Sequence, residues 1–369
     1  MRAPTPTSRH PRKASRDDGR RWNLLTALQT IAARGTMSRA DIARATGLTR
    51  ATVSSLVTEL IGQGLVQEVG TGEAEAGGKP PRLLAIHDGG RQIIALDLSH
   101  QPFRAALMDL GGAVTQTLTA SSSAVGPTAL EVAGDLVARC LDHASAPVLG
   151  VGVGTPGMID RDGAVSEAAH LEWKDVPLRR YLANRFDVPV TVGNDAHVAA
   201  LAELRASDGS ETFLLVAVGE GIGAGLVLDG VVHTGEHLSS GEIGHVVVEP
   251  DGAACRCGLR GCLETVAAIP SIDRTSTGAL DVDSSHRAGR RLGATLAVVI
   301  SAIDVDRIII ASELTSVDGY IGAIAEELTA RMHVSRRPHI LVEASSIEGL
   351  VLAGAAAAVM RDELGVLLR

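Results

Sequence analysis

The chain has 369 residues, of which 45% are hydrophobic and only 2% aromatic, and it carries a formal net charge of −9. That length accommodates two or three domains with a sizeable core, and no apolar run approaches the ~20 residues of a membrane span. Residues 1–21 lack the apolar centre of a signal sequence, and four cysteines with three of them clustered leave no disulfide framework, so a secreted scaffold is excluded and a cytoplasmic protein expected.

The charge is divided unevenly. Residues 1–82 contain 13 Lys/Arg against 7 Asp/Glu, net +6, which leaves −15 for residues 83–369. A basic head on an acidic body points to a head that meets a polyanion. Residues 1–21, rich in Pro, Ser, Thr and Arg, read as a disordered arm. From Asn23 the pattern is helical, with Leu24, Leu25, Leu28 and Ile31 on one face and Arg34-Gly35 as the stop. Ser38 opens a second helix with Asp41 as its capping partner, Thr46-Gly47-Leu48 turns the chain, and a third helix spans Thr49 to Ile61. Val53, Leu56, Val57 and Leu60 form its core stripe, while Arg50, Ala51, Thr52, Ser54 and Ser55 face outward. Small polar side chains led by one arginine suit a helix that enters a major groove, because bulk would hold the backbone away from the bases. Strands at Gly64–Val69 and Arg82–Ile86, joined by a hairpin with Lys79 and Arg82 at its base, complete a wing. Residues 22–87 are therefore expected to be a winged helix-turn-helix domain contacting operator DNA through Arg50, Ala51, Thr52, Ser54, Ser55, Lys79 and Arg82.

From residue 88 the pattern changes. Three strands in a meander (Ile93–Leu98, Phe103–Leu110, Ala113–Thr119) precede a helix at Thr128–His143 and buried strands at Val148–Val153 and Val190–Val192. Gly193-Asn194-Asp195 then leads into a helix at Ala196–Arg205. A second series follows: strands Phe213–Val218 and Ala224–Leu228, a long helix at Ser285–Ile303, strand Arg307–Ala311, helix Tyr320–Met332, strand Ile340–Val342 and a last helix from Leu350. The repeated plan predicts an α/β body of two similar lobes, at about 88–205 and 206–369, around a cleft. Within the second lobe Cys255, Cys257 and Cys262 fall in eight residues, ten after His245. Three thiolates and an imidazole complete a tetrahedral structural zinc (Zn2+) shell with no open position.

These residues carry a resemblance to the ROK family of bacterial sugar kinases and sugar-responsive repressors, whose body is a two-lobed actin/hexokinase-like fold. Glu242-x-Gly-His245, followed by Cys255-x-Cys-Gly-x-x-Gly-Cys-x-Glu264, is the most specific element, and Gly154-Thr155-Pro156-Gly157, Asn194-Asp195 and Gly235 to Gly241 follow in family order. The winged helix places the chain with the repressor branch. The resemblance implies that Asn194, Asp195, Glu242, His245 and Glu264 bind sugar hydroxyls, and that His245 serves metal and sugar through its two nitrogens.

Phosphoryl transfer requires glycine-lined phosphate loops. Where the family's kinases carry Asp-x-Gly-Gly-Thr, this chain has Asp97-Leu98-Ser99-His100-Gln101; Gly219-Glu220-Gly221 replaces Gly-Thr-Gly, and Ala311-Ser312-Glu313 replaces a Gly-Gly pair. A carboxylate about 4 Å from a phosphate oxygen costs on the order of 4 kcal/mol at an effective dielectric near 20. The segment from Ala268 to Ser285 also looks shortened, and His170-Leu171-Glu172-Trp173 stands where relatives often carry an Asn-Leu contact. Asp195, at the kinases' general-base position, is thus expected to be vestigial, with no catalytic residue. The expectation is a sugar-responsive repressor, a homodimer or dimer of dimers on operator DNA, with a sugar or sugar-derivative effector and no membrane partner. The alternatives are a residual ATP-dependent sugar kinase and a DNA-binding regulator whose body answers to a partner protein.

Overall fold

The computed structural model describes residues 16–72, 80–207 and 211–368. They divide into two units, one reaching Gly90 and including Leu364–Val366, the other comprising Arg91–Glu363 and the final residues from Leu367.

In the first unit, α1 (Arg16–Arg34), β1 (Met37–Ser38), α2 (Arg39–Thr46), α3 (Arg50–Gly62), β2 (Val66–Thr71) and β3 (Arg82–Ile86) form three helices and a sheet in the order β1-β3-β2. Helix α1 begins seven residues before the expected Asn23, within the stretch read as an arm; Arg20 on its first turns donates to Glu59 of α3 at 3.1 Å. The rest of the expected arm, residues 1–15, lies outside the described residues. Leu28, Ile31, Ile42, Val53, Leu56, Val57, Leu60 and Leu84 are at most 1% exposed, each contributing about 1.5–3 kcal/mol over an exposed side chain. The cap predicted for α2 is formed: Asp41 N donates to Ser38 Oγ at 3.2 Å, and Ser38 N donates back to the Asp41 carboxylate at 2.9 Å. Gly47 ends α2 at φ +70°, a left-handed conformation that a side chain would strain, and this sets the turn into α3.

The second unit begins with β4 (Gln92–Asp97), β5 (Arg104–Asp109), β6 (Val114–Thr119), α4 (Gly126–Asp142) and β7 (Val148–Thr155). A small antiparallel sheet follows, β8 (Met158–Ile159), β9 (Val165–Ala168) and β10 (Trp173–Val176), then α5 (Leu178–Phe186), β11 (Val190–Asn194) and α6 (Asp195–Ala206). The small sheet and α5 were not foreseen, because strands of two to four residues carry too little alternation to register. The second series is β12 (Phe213–Val218), β13 (Ile222–Leu228), β14 (Val231–His233), α7 (Glu264–Ala267), α8 (Val282–Ile303), β15 (Arg307–Ala311), α9 (Tyr320–Arg331), β16 (Leu341–Ala344) and α10 (Leu350–Leu364).

The two large sheets share one plan. The first runs β11-β7-β4-β5-β6 and the second β16-β15-β12-β13-β14, each an antiparallel meander with two parallel strands added beside its first member. Ile94, Leu96, Leu107 and Val151 centre one core, and Val216, Leu292, Ile308 and Ile324 another. Chain order does not divide the lobes cleanly at residue 205. Helix α6 packs on the second sheet, where its Val198, Leu201 and Leu204 join Phe213, Leu215 and Val227. Helix α10 returns to the first, with Ala355 O and Val359 closing over Gly152. Among the described residues no helix is long and apolar enough to cross a membrane.

Candidate ligand cleft and metal centre

In the first unit, the expected DNA-facing residues separate by geometry. Arg50, Ala51, Ser54 and Ser55 are exposed along α3, and Arg50 has no ion pair among the described residues. Thr49 caps the helix by accepting from Thr52 N at 3.2 Å, and its hydroxyl lies 2.9 Å from that of Thr52, so Thr52 serves the cap. Ser55 Oγ is within 3.5 Å of Arg20. On the wing Arg82 is exposed and 3.7 Å from Glu68, which Arg39 also approaches at 3.1 Å. Lys79 lies outside the described residues.

In the second unit, a cleft of about 980 Å³ is lined from both sheets by Asp97, Asp195, Glu242, His245 and Glu264 among others. Strand β11 delivers Asn194 and Asp195 to its rim. Asn194 caps α6, accepting from Ala196 N at 3.0 Å and His197 N at 3.2 Å while its amide donates to Gly157 O at 3.1 Å. Its side chain thus aligns Asp195 and retains little capacity for a ligand. Burial pushes the Asp195 carboxyl up to about 7, with Asp97 and Glu242 adding negative charge against the pull of the Ala196 N–H. Burial also raises Glu242, which His245 counteracts. His197, which the sequence did not single out, holds the approach to Glu242: its Nε2 lies 2.8 Å from Ser240 O.

The metal centre is assembled by the segment between β14 and α7. Gly261, at φ +69°, sits so close to the backbone that a Cβ there would lie 1.5 Å from Glu249 O, and this tight fold brings the cysteines together. The ligand atoms of His245, Cys255, Cys257 and Cys262 all lie within 4.8 Å of one another. Cys257 Sγ is 3.7 Å from Cys262 Sγ, and Cys255 Sγ is 3.6 Å from His245 Nδ1. Tetrahedral zinc with Zn–S of about 2.3 Å and Zn–N of about 2.0–2.1 Å requires about 3.8 Å between sulfurs and about 3.5 Å between sulfur and nitrogen. The donor set and its spacings fit the ion. His245 Nδ1 faces the cysteines, and Nε2 points to Glu242 Oε2 at 3.8 Å. Glu264 also approaches both, accepting from Cys255 Sγ at 2.8 Å and lying 3.7 Å from His245 Nδ1.

The three altered loops line the same cleft. Asp97, 2% exposed at its side chain, accepts from Arg104 Nη2 at 2.8 Å and from Ser99 N at 3.0 Å. Arg274, in the segment that joins α7 to α8, pairs with Glu313 at 3.6 Å. Arg104 went unnoticed in the sequence, although a hairpin register pairing Asp97 with Arg104 would have exposed it. In His170-Leu171-Glu172-Trp173 the ends part company. Trp173 is core, its Nε1 donating to Gly126 O at 2.7 Å, and His170 lines the cleft.

Comparison with known proteins agrees with this architecture. The xylose repressor of Caldicellulosiruptor bescii is 33% identical over 254 residues, covering 66% of this chain and 63% of the relative, so the chain spans somewhat under two thirds of that protein's length. The DNA-binding transcriptional dual regulator NagC of Escherichia coli is 29% identical over 372 residues, 91% of each chain. A crystal structure of a ROK family transcriptional regulator, a homologue of the E. coli MLC protein, superposes with a TM-score of 0.79 at 24% identity over 94% of this chain and 98% of its own. The fold is shared with kinases, as in the ROK hexokinase of Thermus thermophilus, with a TM-score of 0.60 at 28% identity over 72% and 97% of the two chains. A MarR family match covers residues 24–74, the winged helix, and a ROK family match covers residues 93–362, both sheets with the cleft and metal segment between them: the chain belongs to the ROK family, with a MarR-type winged helix ahead of the ROK body.

Proposed function

We propose that the protein is a sugar-responsive transcriptional repressor. The observation that carries this reading is the joint presence, in one chain, of a winged helix that exposes Arg50 on α3 and a cleft in which Asp195, Glu242, His245 and Glu264 converge. Carboxylates and an imidazole offer paired acceptors and donors to vicinal hydroxyls. Zinc on His245, Cys255, Cys257 and Cys262 is structural: with four protein ligands it binds no substrate, and it fixes the His245 tautomer so that Nε2 meets the sugar. Asn194 contributes by aligning Asp195. An effector that prefers one arrangement of the lobes shifts the population of that arrangement and with it operator affinity. The working form is a homodimer, since winged helices of this kind read paired half-sites, and the setting is the cytoplasm.

The reading disfavours phosphoryl transfer because acidic side chains and internal pairs line the cleft where the resemblance to the family's kinases would put a nucleotide. Asp97 is bound to Arg104, Glu313 pairs with Arg274, and Glu220 lines the same cleft, where a carboxylate would repel a phosphate. The rival with a specific observation in its favour is a residual kinase, for Asp195 has a carboxyl poised near neutrality. Two experiments test the reading. Genome-wide mapping of bound DNA should recover operators beside sugar transport and catabolic genes. Calorimetry against a sugar panel should give heat with wild type that Glu242→Ala loses; no heat with any sugar favours a body answering to a protein, and product formed from ATP that Asp195→Ala abolishes favours the kinase.

A further inference from the structure

Two histidines reach from the first-sheet side of the cleft to a single turn of the second. The turn is Gly219-Glu220-Gly221, between β12 and β13, closed by Gly219 N donating to Gly221 O at 2.9 Å. His100, in the β4–β5 connection, lies against its first residue: a Cβ at Gly219 would stand 2.9 Å from His100 Nε2, and the three nearest atoms it would meet are all in that imidazole. His170, between β9 and β10, lies against the other end. A Cβ at Gly221 would fall 3.1 Å from Glu264 Oε2 and 3.4 Å from His170 Cε1, so the Glu264 carboxylate and the His170 ring flank the turn together.

The His100 ring is held from behind. Ser99 Oγ donates its single proton to Asp97 Oδ1, so it accepts from His100 Nδ1 at 2.8 Å. That assigns the Nδ1–H tautomer and turns the bare Nε2 toward Gly219. Arg104, bonded to the other oxygen of Asp97, fixes the carboxylate at the root of the chain. Neither Gly219 nor Gly221 has a positive φ, so neither glycine is required by backbone conformation. Gly219 provides room for His100, whereas at Gly221 the nearer neighbour is the Glu264 carboxylate, with His170 beside it.

We infer that His100 and His170 form a two-point clasp that holds the two sides of the cleft together across the Gly219–Gly221 turn. They are positioning residues, and Gly219 is the seat of the first. The clasp stands whether or not the cleft takes a sugar, because it consists of contacts within the chain alone.

Hydrogen exchange on the full chain, without ligand, tests it. His100→Ala should speed exchange of the peptide covering residues 213–224 by about tenfold, the factor for losing about 1.4 kcal/mol of local protection, with α8 peptides unchanged. Gly219→Ala should do the same by displacing the ring, and in the His100→Ala background it should add nothing. For the second point, His170→Ala should speed exchange of the same peptide by a similar factor, with α8 peptides again unchanged. Gly219→Ala acting equally with and without His100 would overturn the first point. Unchanged exchange in His170→Ala overturns the second, and a rise spread evenly over α8 overturns both.

Discussion

Asp97 and Arg104 face each other across the β4–β5 hairpin, with Arg104 Nη2 2.8 Å from Asp97 Oδ2 and the carboxylate almost wholly buried. The pair neutralises a buried carboxylate on the wall of the cleft. Removing the arginine leaves a buried carboxylate short of its charged partner, so Arg104→Ala should lower stability by about 2 kcal/mol in denaturant melts. Restoring glycines with Ser99→Gly and His100→Gly should still give no sugar phosphorylation in an ATP-coupled assay, since Asp97 remains bound to Arg104. Turnover in that double variant would contradict the account of the nucleotide end.

The titration of Asp195 has a definite sign. Its folded-state carboxyl is raised to about 7 from an ordinary 3.8, so its contribution to stability is full below about pH 4 and is lost as pH rises toward 7. Asp195→Asn, which cannot ionise, should therefore gain on wild type across that interval and hold a constant lead above it, on the order of 4 kcal/mol at about 1.4 kcal/mol per unit. Denaturant melts at pH 4.5, 6 and 8 would show the divergence; parallel curves would mean that Asp195 titrates normally.

For the metal centre, native mass spectrometry should find one zinc per chain, lost in Cys262→Ser and on chelation. Melting temperature should fall in both cases, because Cys262 is fully buried and the ligand segment has little apolar core of its own. An unchanged melting temperature with zinc absent would remove the structural role.

The capping box of α2 is open to measurement as well. Ser38→Ala should cost about 1 kcal/mol of winged-helix stability. Hydrogen bonds from Ser38, with Arg44 beside it, hold the Asp41 carboxyl down at about 2 against an ordinary 3.8. This stabilisation is present above about pH 4 and lost as pH falls toward 2, so the variant and wild type should converge at acid pH.

On DNA, Arg50→Ala should weaken operator binding and, where the guanidinium meets a phosphate, reduce the slope of log K against log salt by about 1. Fluorescence anisotropy at several salt concentrations measures both. Ser54→Ala should act more weakly, and unchanged affinity in Arg50→Ala would remove α3 from the groove.

Much of this was legible beforehand because it depends on local regularity. The core stripe Val53-Leu56-Val57-Leu60 follows from helical period, the Ser38–Asp41 cap from a spacing of three, and the ligand cluster at 255–262 from cysteines too near in sequence to separate in space. The early start of α1 was missed because its first turns are held by a contact to Glu59, 39 positions away. The second task of Asn194 was not legible: its oxygen caps its own helix and its amide donates to Gly157 O, a partner 37 positions away.

The sequence by itself determined that there are two units, that the second repeats one strand plan, and that four residues can ligate a metal, since periodicity, motif spacing and side-chain chemistry are properties of short stretches. Tertiary structure alone decided that α6 and α10 cross between the sheets, that Arg104 neutralises Asp97, and that His100 and His170 converge on Gly219–Gly221. Those outcomes depend on which distant surfaces close over one another, and packing against a partner far along the chain leaves no local period to read.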